Sequence, residues 1–158
     1  MQENKTASFF DSYSLDFNAI YGSGTGFFQR LINKWFRQTM LIRFQKTIAA
    51  CKPLEGKTIL DVGCGPGIYT VTLAKGSPDF VVGIDFAPSM IQIARQEAKK
   101  AGVEDICRFE IADFHSLPED KQYNYLILMG FMDYIKNPQQ IIEKTMRLAS
   151  DKVLFSFP

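Results

Sequence analysis

The sequence predicts an α/β protein whose core is a doubly wound parallel sheet of five strands in the order 3-2-1-4-5. Short apolar runs alternate with helical patterns from Lys57 onward, and the first three gaps between strands are long enough for crossover connections. A glycine-rich loop follows the first strand directly, and the second and third strands each end in an aspartate. Ligands bind at the carboxyl ends of such strands, where the strand order reverses.

The order of elements follows from runs of apolar residues and their spacing. The predicted strands are 57–62, 80–84, 106–111, 123–129 and 152–157, and the predicted helices between them are 68–75, 89–101 and 138–149. The fourth strand is apolar almost throughout, as expected of a strand that is buried on both faces. We therefore expect strand 1 at the centre of the sheet, with its glycine loop at the ligand-binding edge.

The front of the chain differs chemically from the rest. Apolar residues recur every three or four positions from Phe27 to Ile48, and residues 26–52 carry six basic residues and no acidic one. We predict that residues 1–56 form an N-terminal helical cap or lid, with two short helical turns before Gly22, and that residues 57–158 form the ligand-binding domain. The basic side chains are either simply solvated or make a peripheral membrane contact.

Composition excludes several classes of protein. Apolar residues make up 46% of the chain and charged residues 22%, which is typical of a globular domain. The longest apolar run, 125–132, is too short to cross a bilayer, and no export leader is recognisable, so we expect a cytoplasmic protein. The net charge of +1 argues against nucleic acid as a partner. Three cysteines without a C-x-x-C pair, with a single histidine, predict reduced thiols and no metal site.

The glycine loop predicts a ligand cradle. Gly63, Gly65 and Gly67 stand at alternate positions, and a helix follows them, so bare backbone and free helical N–H groups can approach an anionic group. The dinucleotide fingerprint needs its third glycine at the sixth position, which here is Ile68. This spacing disfavours a nicotinamide-dependent oxidoreductase, which nevertheless stays an alternative.

Two stretches resemble a known family. The run Asp61-x-Gly63-x-Gly65-x-Gly67 after an apolar strand resembles motif I of the class I S-adenosylmethionine-dependent methyltransferases, and residues 83–90, GIDFAPSM, resemble the second motif. The resemblance implies a Rossmann-like domain that transfers a methyl group to a small-molecule acceptor, by O- or C-methylation. The front segment resembles that of methyltransferases acting on quinone or tetrapyrrole substrates.

The resemblance also implies which residues hold the cofactor, S-adenosylmethionine. The loop backbone would hold its amino-acid part with Asp61 near the ammonium, Asp85 would hold the ribose, and Asp113 the adenine. Asp85 and Asp113 are also explained by the blander roles of helix cap or turn residue. The full expected set of cofactor-binding residues is Asp61, Gly63, Cys64, Gly65, Gly67, Asp85, Phe86, Met90, Asp113, Phe114 and Met129.

No catalytic residue is assigned from the sequence. Direct displacement at an activated methyl group needs mainly alignment, which is worth about 7–11 kcal/mol in model reactions. His115 lies just past the expected adenine contact, so we predict an exposed loop residue rather than a general base. Asp133 and Tyr134, after the fourth strand, are the nearest candidates for touching an acceptor, although a capping Asp and a packing Tyr explain them almost as well.

The sequence has only Pro158 after the fifth strand, where the family usually adds strands 6 and 7. We therefore expect a C-terminally short domain with one edge of strand 5 exposed, and exposed edges invite association, so a homodimer through this edge is possible. A module that binds the cofactor without catalysing transfer is the other alternative.

Overall fold

The computed structural model describes residues 27–132 and 135–157, with side chains from Thr39 onward. The chain divides into two compact units, Met1–Lys46 and Thr47–Pro158. The described part of the first unit is helical: helix α1 spans Phe27–Ala50, and its last turn belongs to the second unit. The helical turns predicted before Gly22 and the acceptor candidates Asp133 and Tyr134 lie outside the described residues.

The second unit alternates strands and helices, as predicted. Its elements after α1 are β1 (Thr58–Val62), α2 (Ile68–Ala74), β2 (Phe80–Asp85), α3 (Pro88–Ala101), β3 (Cys107–Ile111), a 3-10 turn (Phe114–Ser116), β4 (Tyr123–Leu128), α4 (Pro138–Leu148) and β5 (Ala149–Phe155). All strand pairs are parallel, and the sheet order is β3-β2-β1-β4-β5. The predicted fold class and strand order are confirmed.

Alternating strand residues build two separate cores, one on each face of the sheet. In β1, Ile59 packs in the core that includes residues of α2 and α3, whereas Leu60 and Val62 pack in the core that includes residues of α4 and the 3-10 turn. Successive side chains of a strand point to opposite faces, so both faces of the central strands are buried. This explains why β4 is apolar almost throughout.

The second unit begins ten residues before the boundary at 57 that the sequence predicts. Residues 47–56 pack onto the sheet: Cys51 and Leu54 are buried in the core on the α2 face, and the Tyr125 hydroxyl donates to Pro53 O at 2.7 Å. These contacts attach the end of α1 to the sheet. The role of the preceding residues as a lid stays a prediction.

Most element ends lie within one residue of the sequence prediction, and the two ends of β5 differ by two or three residues. Helix α3 starts at Pro88 rather than residue 89, because proline at the first helical position has the right φ and needs no hydrogen-bonded N–H. Strand β5 starts at Ala149 rather than residue 152, and it pairs with β4 through a register shift between Tyr123 and Tyr125. Residues 150–152 lie at this irregular start of the strand, although their polar composition is typical of a turn.

Within the described part of the chain, no helix combines the length and the apolar character needed to cross a membrane. Among the described strands, β5 has β4 as its sole neighbour, so its other edge carries no strand partner. The peripheral membrane contact of residues 26–52 and a homodimer through the β5 edge both stay predictions.

Gly67 should be the least replaceable glycine of the loop for stability. Its φ is +82°, and a Cβ there would lie 2.9 Å from the Ala94 Cβ. We expect Gly67→Ala to lower the free energy of unfolding by about 1–2 kcal/mol for the backbone conformation, and by about a further 1–3 kcal/mol for the clash. Urea unfolding monitored by circular dichroism measures this change.

Gly102→Ala is the matched control. Gly102 follows α3 with φ +67°, and a Cβ there would meet no atom within 4 Å. We expect this variant to lose only the backbone contribution. Equal losses in the two variants would show that the close approach of Gly67 to α3 does not constrain the loop.

Candidate functional site

A cavity of ≈ 540 Å³ opens at the carboxyl ends of the strands in the second unit. Segments after four different strands contribute to its wall, and most of the wall is apolar. Its lining residues are Val62, Gly63, Ile84, Asp85, Phe86, Ala112, Asp113, Phe114, His115, Gly130, Phe131 and Ile135. The structure therefore brings Gly63 of the glycine loop, Asp85 at the end of β2 and Asp113 after β3 to one cavity, whereas Cys64, Gly65 and Gly67 are not among its lining residues.

Asp85, the last residue of β2, links the glycine loop to helix α3. Its Oδ2 accepts from Gly65 N at 2.9 Å, and its Oδ1 accepts from Ala87 N at 2.9 Å. Ala87 is the N-cap residue of α3, so Asp85 has the turn-stabilising role as well as a place in the cavity wall. Each carboxylate oxygen has two lone-pair directions, so both oxygens can accept a further hydrogen bond from a ligand.

The glycine loop takes its shape from left-handed backbone. Gly63, Gly65 and Gly67 have φ of +70°, +53° and +82°, and Gly63 N donates to Ile84 O at 2.9 Å. A Cβ on Gly63 would lie 3.0 Å from the Phe131 Cδ2, whereas one on Gly65 would meet no atom within 4 Å. Gly63 thus allows Phe131 to pack on the loop, and Gly65 leaves open space above the backbone.

Asp61 lies beneath the loop rather than in the cavity wall. It is 1% exposed, and its Oδ2 accepts from Thr70 Oγ1 at 2.6 Å and from Thr70 N at 3.1 Å. The pKa of Asp61 is raised to about 7, mainly by burial and to a smaller extent by the nearby charge of Asp85, while the hydrogen bonds from Thr70 oppose the rise. The contacts in the structure connect β1 to α2, while the expected contact of Asp61 with the cofactor ammonium stays a prediction.

The cysteines are buried thiols. Cys64 belongs to the glycine loop, but its side chain points into the core, where its Sγ is 3.0 Å from the position of a Cβ on Gly83. Burial is the largest cause of a raised pKa at Cys64, and burial also raises the pKa of Cys51 to about 12 and that of Cys107 to about 11. Protonated, buried thiols are poor nucleophiles. A cofactor contact at Cys64 would therefore involve its backbone.

The segment after β3 forms another part of the cavity wall. Asp113 is the N-cap residue of the 3-10 turn, and its Oδ1 accepts from His115 N at 3.0 Å. Phe114 is 1% exposed and contacts the ring of Phe131 edge-on, with centroids 6.1 Å apart. His115 is exposed at the cavity, in agreement with the sequence interpretation of an exposed loop residue.

Of the three remaining residues predicted to bind the cofactor, one lines the cavity and two lie outside its lining. Phe86 lines the cavity and is 79% exposed, so its ring is available to a ligand. Met90, in the first turn of α3, and Met129, after β4, are half-buried and are not among the lining residues of this cavity. The Met129 Sδ accepts from Thr47 Oγ1 at 3.4 Å. Cofactor contacts by both methionines stay predictions.

Sequence reasoning missed two residues that shape the β4 side of the site. Phe131 covers Gly63, and Ser156 fixes the turn at Gly130, because Gly130 N donates to Ser156 Oγ at 2.6 Å. In the sequence, Phe131 is one residue of an apolar loop, and Ser156 is a polar residue in the predicted fifth strand. No pattern along the chain indicates either contact, since each partner lies more than 25 positions away.

The cavity fits S-adenosylmethionine in its chemistry. Carboxylates at Asp85 and Asp113 can accept from ribose hydroxyls and from an exocyclic amine, and the exposed ring of Phe86 offers aromatic surface to a purine. The bare backbone at Gly63 and Gly65 admits a close approach. Five of the residues that the sequence predicts for the cofactor therefore line this cavity: Gly63, Asp85, Phe86, Asp113 and Phe114.

The buried carboxyl of Asp61 should make stability depend on pH. Its pKa is about 7 in the folded chain and about 3.8 ordinarily, so the folded state holds more protons between these values. The contribution of Asp61 to the free energy of unfolding is therefore fully present below about pH 4, and it is lost as the pH rises through about 7. The loss amounts to at most about 4 kcal/mol, at about 1.4 kcal/mol per pKa unit.

Asp61→Asn removes this titration while keeping an oxygen that can accept from Thr70. We expect the free energy of unfolding of the wild type to fall relative to that of Asp61→Asn as the pH rises from 4.5 to 7.5. Urea unfolding of both proteins at each pH measures this change. A difference that stays constant over this range would contradict a buried, neutral Asp61.

Comparison with known proteins places this chain in a family. The family model described as "Methyltransferase domain" matches residues 53–157. A ubiquinone biosynthesis O-methyltransferase of Klebsiella pneumoniae is 30% identical over 105 residues, which make up 65% of this chain and 43% of that protein. The chain thus spans less than half the length of this curated relative.

Solved structures share the fold. Magnesium protoporphyrin IX methyltransferase from Synechocystis PCC 6803, crystallised with bound SAH, has a TM-score of 0.73 at 23% identity, over 99% of this chain and 72% of that one. A [4+2]-cyclase has a TM-score of 0.60 at 26% identity, over 68% of this chain and 40% of that one. Because the family model covers well over half of the residues, the chain belongs to the methyltransferase domain family, that of the class I S-adenosylmethionine-dependent methyltransferases.

Proposed function

We propose that this chain binds S-adenosylmethionine in the cavity at the carboxyl ends of its strands and transfers the methyl group to a small-molecule acceptor. One observation carries the proposal: Gly63, Asp85 and Asp113, which follow three different strands, line one cavity. The motif spacing that identifies the family thus corresponds to a single site. The match to the family model over residues 53–157 supports the same activity.

Each part of the cofactor has a matching set of residues. The ribose hydroxyls would donate to Asp85, whose position is fixed by its hydrogen bonds to Gly65 N and Ala87 N. The adenine would lie between the exposed Phe86 and the segment 112–115, with Asp113 accepting from its amine. The amino-acid part would lie along the open backbone at Gly65, beyond Gly63, which Phe131 covers.

The proposed transfer requires little covalent chemistry from the side chains of the protein. The bound cofactor supplies a methyl group activated by a sulfonium. The residues around the cavity orient the donor, and the apolar wall formed by Val62, Ile84 and Phe131 excludes water from it. Orientation of this kind is worth about 7–11 kcal/mol in model reactions. A strong nucleophile is not required, which agrees with the buried, protonated state of the thiols.

The proposed acceptor is a conjugated small molecule that is methylated at oxygen or carbon. Two comparisons favour this class, since the relatives are named for ubiquinone biosynthesis and for magnesium protoporphyrin IX. The acceptor would approach beside Gly130 and Phe131, where the wall of the cavity is aromatic and apolar. An aromatic side chain next to a planar conjugated substrate stabilises it by stacking as well as by burial.

A module that binds the cofactor without transferring its methyl group is the second candidate. One observation favours it: a protein of the same fold is named as a [4+2]-cyclase and not as a methyltransferase. The family match disfavours the oxidoreductase alternative.

Transfer of the methyl group separates the two candidates. We expect the chain, incubated with methyl-tritiated S-adenosylmethionine and a catechol or porphyrin carboxylate, to label the organic extract in proportion to enzyme concentration. Binding of the cofactor without label in any acceptor would favour the module, and heat-inactivated protein is the control.

Asp85→Ala should weaken binding of S-adenosylhomocysteine by about 10- to 100-fold, because hydrogen bonds to a charged group contribute about 1.5–3 kcal/mol. Isothermal titration calorimetry measures the change. Asp79→Ala is the matched control, since Asp79 is an exposed acid just before the amino end of the same strand. Unchanged affinity in a folded Asp85→Ala variant would refute the ribose assignment.

A further inference from the structure

Helix α4 carries a lysine at a position that faces the protein interior. The buried residues of this helix are Ile141, Lys144, Thr145 and Leu148, which is the three-four spacing of an inward face. Lys144 is 8% exposed. A buried ammonium needs polar partners, because burial without them is costly.

Backbone carbonyls and an aromatic ring surround this ammonium. The Lys144 Nζ donates to His115 O at 2.9 Å and to Leu117 O at 2.5 Å, and it lies 5.4 Å from the centroid of the Phe114 ring. All three groups belong to the 3-10 turn that follows β3 or to its C-cap residue. The lysine thus contacts one short segment three times.

The segment needs an outside donor at this end. The carbonyls at the end of a helical turn have no partner within the turn, and the next residue, Pro118, has no N–H to supply. The other end is capped by the chain itself, because the Asp113 Oδ1 accepts from His115 N. Asp113 and Lys144 therefore hold the turn from its two ends.

The geometry points to Lys144 as a positioning residue of the cofactor site, one that sets the affinity for the adenine end of the cofactor by holding the turn that carries Asp113 and Phe114. This inference rests on the proposed function. Lys144 itself is not among the residues that line the cavity, whereas Asp113, Phe114 and His115 are. It therefore acts through these neighbours and not by contact with the ligand.

The chain offers a matched control in Lys152, which has the same type of contacts elsewhere in the second unit. The Lys152 Nζ donates to Ala50 O at 3.1 Å and to Lys52 O at 2.8 Å, and it lies 4.9 Å from the centroid of the Tyr125 ring. None of these partners lines the cavity. Loss of this ammonium removes two carbonyl contacts without touching the site.

The experiment replaces each lysine by methionine, which keeps most of the side-chain length and removes the donor. We expect Lys144→Met to bind S-adenosylhomocysteine about tenfold more weakly than wild type, and Lys152→Met to bind as wild type does, in calorimetric titrations well below each melting temperature. Lys144→Arg keeps the donors, so its affinity should stay within about threefold of wild type.

Kinetics provide a readout that a purely structural role would not move. The adenine end is held equally before and during transfer, so Lys144→Met should raise the KM for S-adenosylmethionine about tenfold and leave kcat within about twofold. Wild-type affinity in a folded Lys144→Met variant would overturn the inference. If that variant does not fold, Lys144→Leu, which also removes the donor and leaves an apolar side chain at the buried position, decides by the same titration: weaker binding supports the inference and wild-type binding overturns it.

The outcomes separate this inference from the proposed function. Failure of the wild-type chain to bind S-adenosylhomocysteine would refute the proposed function itself. If the wild-type chain binds S-adenosylhomocysteine but Lys144→Met and Lys152→Met both bind it equally weakly, only the positioning role is overturned. The loss of affinity would then reflect general destabilisation.

Discussion

The site depends on the hydrogen bonds that the Asp85 carboxylate accepts at the end of β2. One oxygen binds Gly65 N in the glycine loop, and the other binds Ala87 N at the start of α3. This side chain therefore fixes the loop after β1 relative to the helix after β2. Hydrogen bonds to a carboxylate are stronger than those between neutral groups, so a short loop can keep an open backbone at Gly65 without being filled by side chains there.

Much of the architecture follows from short-range signals. Apolar runs separated by helical spacing are local properties, and they indicate five parallel strands with β1 at the centre, as the structure has them. The glycines, Asp85 at the end of β2 and Asp113 shortly after β3 could also be placed, because the carboxyl ends of parallel strands share one edge of a sheet. Gly63, Asp85 and Asp113 accordingly meet at one cavity.

The details that the sequence did not indicate are contacts between distant residues. Both faces of β1 are buried, so nothing along the chain shows that Asp61 faces Thr70 beneath the loop. Lys144 reads as one more charge on an amphipathic helix, and only its place in the inward three-four spacing hints at burial. Such roles depend on residues brought together by the sheet, as when Ser156 holds Gly130 from 26 positions away.

The central claim is that the loop after β1 and the ends of β2 and β3 form one adenosyl-binding rim, and NMR titration tests it most directly. Addition of S-adenosylhomocysteine to the ¹⁵N-labelled chain should shift the amides of Gly63, Gly65, Phe86 and Phe114 together, with a single dissociation constant. The account would be contradicted if these amides did not move, or if the shifts were confined to the opposite ends of the strands, at Lys57, Asp79 and Ile106.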